Sequence, residues 1–426
     1  MSELKRFFRM MSGSSVFVCA VFLCFVGICE GRFLEPKDAD HWPHVWRSAT
    51  VATNTMGTGF LSADNLGNHT YTPNGTEKTG IAYACRGGHI DIAHLRKAAD
   101  WTAYLASKTL KSINENRTVL SYKLYEPSIY RVTLSYPDDW LTLPADRRER
   151  ISREVSIGLA QHFAFTALTW HEVLTWFGYK TLGILSEFES SFSWEDMFSN
   201  VLGTHLSVQA LRDPFHSYND AMTILLDREM KRLGGQSSKT ARKASNAVRG
   251  LWWSYNLIFL SMKKRNFDIG LDDGYITPWL VPSVSQCKGV EPISYPIPSL
   301  EVLDKYGFIM KLEIELHAFE GPKILNVVYP EGRRGRNRIE PAVHMPVIME
   351  YLRKRAIRRW GPYFDNPRVK NSKSESDASS EVTEPDEFDD TYLFDVEDAY
   401  VFNLGDVAVL TEWWLDDDSY GSGVIE

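Results

Sequence analysis

The chain is predicted to adopt a mainly α, or α+β, fold: a helical core with short β elements and a mixed carboxy-terminal appendage. Three observations predict it. The stretch "IGLAQHFAFTALTWHEVLTWFGY" is apolar around most of its helical circumference, as a buried central helix would be. The segments "RTVLSYKLY" and "YRVTLSY" alternate polar and apolar residues, the period of a strand with one buried face. Hydrophobic residues make up 44% of 426 positions, with thirteen Trp and twenty-two Phe, which is enough for a substantial core and excludes a mainly disordered chain.

The elements follow in order. The first 31 residues carry Lys5, Arg6 and Arg9 ahead of an apolar run from Val16 to Cys29. That run is near the short limit for crossing a bilayer and reads as an export signal cut near Gly31, with an uncleaved amino-terminal anchor as the alternative. Ile28 before Cys29 makes a poor lipid-attachment signal. Export predicts a periplasmic, extracellular or envelope-associated protein, with membrane association through this segment. Three of the five cysteines lie here. The remaining two, Cys85 and Cys287, can form a single long-range disulfide and lack the close spacing of a zinc knuckle. Asn68, Asn74 and Asn116 begin glycosylation sequons.

Residues 32–290 are expected to form the principal helical domain. Its first part, 32–80, is rich in Asn, Gly, Thr and Pro and should wrap the surface. A helix is expected over 88–114 after two glycines, then a hairpin over 117–136, then a helix over 146–179 ending near Gly178. Ser193 is a good cap for the next helix, which places Glu195 and Asp196 in its first turn, where free amides favour negative charge. Two more helices are expected over 217–233 and 237–260. Residues 291–369 read as a mixed α/β appendage, with strands or mixed structure in "YPIPSLEVLDKYGFIMKLEIELHAF" and "GPKILNVVYP" and a basic helix over 346–359. Residues 370–390 form an acidic linker too charged to order itself, and 391–426 an acidic tail with a segment apolar enough to dock.

Charge is uneven along the chain. Residues 371–426 hold seventeen acidic side chains and one Lys, which turns an overall net charge of -8 into +8 for everything before them. The basic runs "EGRRGRNR" and "YLRKRAIRRW" come without any nucleic-acid-binding module, so a solvated basic face that contacts the acidic tail is expected, and a nucleic-acid partner is not.

Three polar clusters interrupt the apolar background. In "ACRGGHIDIAHLRKAADW", Asp91 and His94 are three residues apart and share a helical face, whereas His89 and His94 diverge by about 140°. In "TWHEVLTWFGY", His171 and Glu172 sit where an ionised carboxylate needs a partner. Position 175 is Thr, so the "HExxH" helix of zinc proteases is absent. The third cluster holds Glu187, Glu189, Glu195, Asp196, Asn200 and His205. Two His residues and one or two carboxylates drawn from different helices would suffice to hold Zn²⁺ with a water position left open.

The chain resembles a bacterial family of unknown function, DUF4056. The resemblance rests on "GIAYACRGGHIDIAHLRKAADWTAYL", "TWHEVLTWFGY" and "FESSFSWEDMFSNVLGTHL" in that order, and covers about residues 45–290. Arg86, Gly87, Asp91, His94, Arg96 and Asp100 match its first motif. Trp170, His171, Glu172, Trp176 and Gly178 match the second, and Phe192, Ser193, Glu195, Asp196, Ser199, Asn200 and Gly203 the third. His89 stands where a hydrophobic residue is expected. The resemblance implies no established reaction.

These residues suggest an exported metal-dependent hydrolase using Zn²⁺ or another divalent metal. His94 and His171 would be ligands with Glu195 or Asp196. Glu172 would act as base, with Asp91 beside His94 also counted as catalytic, and Arg86 or Arg96 would hold an anionic part of the substrate. An envelope peptide, glycan or lipid ester would serve as substrate. The alternative is a noncatalytic exported scaffold or binding protein in which the same residues form a buried polar or metal-stabilised network.

Overall fold

A computed structural model describes residues 59–70, 77–124, 126–181, 185–256 and 259–367. The leader, the Asn74 sequon, the acidic linker and the acidic tail lie outside the described residues. By contact the chain divides into Met1–Val369 and Lys370–Glu426, and every described residue belongs to the first unit.

The glycine pair in "CRGGH" makes a turn and does not open a helix. Strands β1 (Ile81–Ala84) and β2 (Gly88–Asp91) pair antiparallel across it, with Ile81 opposite Asp91. Gly88 has a φ of 63°, and a Cβ there would come within 2.1 Å of the Trp279 carbonyl oxygen, so the turn requires glycine. The helix expected from residue 88 therefore begins four residues later, as α1 (Ile92–Asn114). Asp91 caps it, its Oδ1 accepting from the amides of Ala93 at 2.7 Å and His94 at 3.2 Å.

The expected hairpin is present as β3 (Val119–Tyr122) and β4 (Ile129–Ser135), antiparallel with Val119 opposite Thr133. The long helix α2 (Ala145–Trp176) follows. Trp170 on it is fully buried, and its indole N–H donates to Ser128 Oγ at 3.0 Å. After the short pair β5 (Lys180–Thr181) and β6 (Leu185–Ser186) comes α3 (Asp196–Leu211), which starts two residues later than a Ser193 cap predicts. The Ser193 carbonyl instead accepts from the Asp196 amide in a turn, and Glu195 takes the cap position.

Helix α4 (Tyr218–Arg232) is capped by Ser217, and α5 (Ser238–Ala247) by Ser237. The single helix expected over 237–260 is incorrect beyond Ala247. Gly250 adopts a φ of 84°, which stops the helix, and the aromatic and β-branched run after it forms β7 (Trp253–Asn256) and β8 (Phe259–Met262). Next come β9 (Tyr275–Ile276), β10 (Tyr295–Pro296), α6 (Glu301–Tyr306), β11 (Ile309–Glu315), α7 (Gly321–Val328), β12 (Arg338–Ile339) and α8 (Pro341–Trp360). "GPKILNVV" is a helix and not a strand, because Pro322 in its first turn presets the helical φ.

The result is an α+β fold of eight helices and short antiparallel sheets among the described residues. The largest sheet has the order β12-β11-β4-β3, so residues after 291 complete a sheet begun before 140. At the centre, α1 packs on both α2 and α3. The α1–α3 approach is unusually close at Gly203, where a Cβ would lie 2.1 Å from the Leu95 carbonyl oxygen. Cys85 in the β1–β2 turn and Cys287 form a disulfide with a Cα–Cα distance of 4.9 Å.

Candidate functional site

The glycine contact brings the N-terminus of α3 against that of α1. Asp196 is the first residue of α3 and lies seven positions before Gly203, on the same helical line. His94 Nδ1 is 2.7 Å from Asp91 Oδ2 and 3.6 Å from Asp196 Oδ1. One ligand atom from each of Asp91, His94 and Asp196 lies within 4.8 Å of the other two. Asp91 cannot easily turn away, because its other oxygen caps α1 while its amide donates to Ser199 Oγ at 2.9 Å, which in turn donates to the Glu195 carbonyl at 2.7 Å.

Two more carboxylates border this group. Glu195 is buried, and its Oε2 has no hydrogen-bond partner. Glu172, from the last turns of α2, accepts the Phe192 amide on Oε2 at 2.6 Å. Phe192 has a φ of 52°, an uncommon conformation for a bulky side chain, which turns that amide toward α2. Burial, with the negative charge of Asp91 and Glu172 beside it, pushes the Glu195 carboxyl up to about 8. Asp196 is raised well above the carboxylate range by burial and by Glu172, Glu195 and Asp91. A cation placed among these groups would oppose the shifts, since burial and then mutual repulsion raise them and a nearby positive charge favours the ionised carboxylates. The N-terminal ends of α1 and α3, which favour negative charge, supply part of that compensation.

The other predicted site residues sit elsewhere. His171 does not reach His94. Its Nδ1 lies 2.6 Å from Glu126 Oε1 and its Nε2 3.3 Å from Glu187 Oε2. Burial by itself would lower its pKa, but the two carboxylates outweigh burial and raise it to about 10. Both ring nitrogens thus face carboxylate oxygens, an arrangement that favours the protonated ring over metal ligation. Arg96 is fully buried and holds the segment before β1: its guanidinium donates to Glu77 Oε1 at 3.1 Å and to the carbonyls of Leu66 and Gly67 at 2.9 and 3.0 Å. His69 completes this latch, its Nε2 2.7 Å from Asp100 Oδ1. Arg86 is exposed on the β1–β2 turn, donating to the Glu291 carbonyl. Glu189 bonds to Ser261 Oγ and His205 to the Pro296 carbonyl, so the third sequence cluster is dispersed apart from Glu195, Asp196 and Asn200. His89 is buried and neutral, its pKa lowered to about 3 by burial, with the Trp194 indole donating to its Nδ1 at 3.4 Å.

Sequence reasoning missed Glu126, Glu77, His69 and Arg265. Arg265 is fully buried, clamps the carbonyls of Phe188 and Ser191, and brings positive charge toward Glu172 and Asp196. None of the four carried a clear signal: Arg265 closes the basic run "KKR" in "SMKKRNF", which reads as a solvated surface stretch. A cavity of about 590 Å³ is lined by Asn266, Asp268, Trp279 and Glu291, none of which belongs to the cluster.

Fold and site together define an α+β protein with a histidine–carboxylate centre where a hairpin meets two helix N-termini. The chain belongs to the family described as "Protein of unknown function (DUF4056)", whose model matches residues 44–273 and so includes every residue of that centre. No curated protein and no solved structure matches the chain.

Proposed function

We propose that this protein is an exported, divalent-metal-dependent hydrolase acting on an extracellular or cell-envelope substrate. The observation that carries the reading is the convergence of Asp91, His94 and Asp196, from the hairpin, α1 and α3, to within 4.8 Å. One nitrogen and two carboxylate donors suit Zn²⁺ or Mn²⁺, and three protein ligands leave positions for water and substrate. Asp91 thus becomes a ligand and not a proton carrier, and His171 leaves the ligand set. A cation held by these three residues would supply Lewis-acid activation of water, and Glu172, fixed by the Phe192 amide, would be the group placed to take up a proton. Glu195 adds negative charge that favours the cation. The Cys85–Cys287 disulfide supports an oxidising location. Among the described residues no helix is long and apolar enough to cross a membrane, so membrane association would fall to the leader.

One observation favours the noncatalytic scaffold: Asp91 and Asp196 are buried and the His94 side chain is only 14% exposed, as in a metal-stabilised junction. Turnover separates the two readings. Metal-loaded protein is assayed on ester, glycan and peptide substrates alongside Glu172→Gln. The hydrolase reading expects the variant to keep fold and metal and to lose about 100-fold or more in rate. Unchanged turnover would remove Glu172 from the reaction, and metal binding without turnover on any of the three classes would leave the scaffold.

A further inference from the structure

The two arginines that sequence reasoning assigned to an anionic substrate are engaged elsewhere, Arg96 in the buried latch and Arg86 on the hairpin turn. Lys97 is a partly exposed cation on the same helix as His94. It follows His94 by three residues on α1, so the two share one face. Both are partly exposed, while Asp91, Arg96 and Asp196 around them are buried, so the approach from solvent to the centre passes over this pair. Among the described residues no carboxylate lies within 4.0 Å of the Lys97 ammonium, which sits 5.6 Å from the centre of the Trp101 ring.

We propose that Lys97 binds an oxyanion of the substrate, a phosphate or carboxylate group, next to the metal held by Asp91, His94 and Asp196. The inference rests on the metal reading of that centre. A divalent cation neutralises Asp91 and Asp196, so with metal bound the ammonium no longer serves to balance them. It is then free to hold an incoming anion as a compact point charge. The ammonium lies 5.6 Å from the centre of the Trp101 ring, a loose contact that leaves it able to turn toward an incoming anion.

The test uses the full chain saturated with Zn²⁺, titrated calorimetrically with inorganic phosphate and, separately, with acetate. Wild type, Lys97→Met and Lys97→Arg are compared, with zinc content measured on the same samples. The expected result is unchanged zinc content, phosphate or acetate affinity weakened about tenfold or more in Lys97→Met, and recovery in Lys97→Arg. The tighter of the two anions identifies the group recognised. Equal anion affinity in Lys97→Met would overturn the proposal, as would a variant that weakens zinc alone while anion binding at saturating zinc stays the same. A wild-type chain that takes up no zinc fails at the earlier step and overturns the metal reading itself.

Discussion

At the scale of single residues, His94 and His171 look alike in the sequence but have opposite chemistry. His94 keeps a ring partly open beside two carboxylates, whereas His171 is buried with Glu126 on one ring nitrogen and Glu187 on the other, a setting that favours the imidazolium. Replacing His171 with Ala leaves Glu126 charged, buried and without its cation. A loss of about 3–5 kcal/mol is expected by denaturant unfolding, with metal affinity of the folded fraction unchanged. A stability loss below 1 kcal/mol would show that the pair is not charged as the geometry implies. The Asp91–His94 pair was legible because i, i+3 spacing after a turn dictates a shared face. Glu126 was not legible, because it lies in the β3–β4 connection and no periodicity ties a loop position to a residue on α2.

At the scale of elements, the site depends on how closely α3 can approach α1. Gly203→Ala sets a methyl against the Leu95 carbonyl and Ala98, which should cost about 1–3 kcal/mol or more and move Asp196 away from His94. The expected readout is a lowered unfolding midpoint together with weaker metal binding. A destabilised variant with wild-type metal affinity would mean that the centre tolerates helix displacement. The long helices and the β3–β4 hairpin are legible from their 3.6- and 2-residue periods. The start of α1 was misplaced because "GGHID" pairs with β1, a partner that helical periodicity does not reveal. The stretch after Ala247 was misread because an apolar run suits a buried helix or a strand equally until Gly250 is recognised as a stop.

At the scale of the whole molecule, the buried charges set the response to pH. Glu195 is raised from 4.5 to about 8, so between those values the folded chain holds a proton that the unfolded chain has lost, and stability falls as pH rises. His171, raised from 6.5 to about 10, contributes stability that is complete below 6.5 and is lost as pH climbs toward 10. Metal-free protein should therefore melt at progressively lower temperature from pH 7 to pH 9, a window in which buried His89 is neutral in the folded and unfolded chain alike and no longer opposes the trend. Added divalent metal should stabilise it more at pH 8 than at pH 5.5, because protons compete for the same carboxylates. A flat pH profile in the metal-free protein would contradict the buried anionic cluster. Reducing Cys85–Cys287 should lower stability by about 2–5 kcal/mol, read as a shift in the unfolding midpoint with and without reductant. The α+β class was legible from composition and pattern. The pairing of β11 with β4 was not, since it joins segments far apart in the chain.

The measurement that tests the centre most directly is elemental analysis of the purified untagged chain, with His94→Ala and His171→Ala prepared alongside. The expected result is a near-stoichiometric divalent metal in wild type and in His171→Ala, and its loss in His94→Ala. Absence of metal from wild type, with metal additions leaving stability unchanged, would contradict the account, and so would metal lost on replacing His171 but retained without His94.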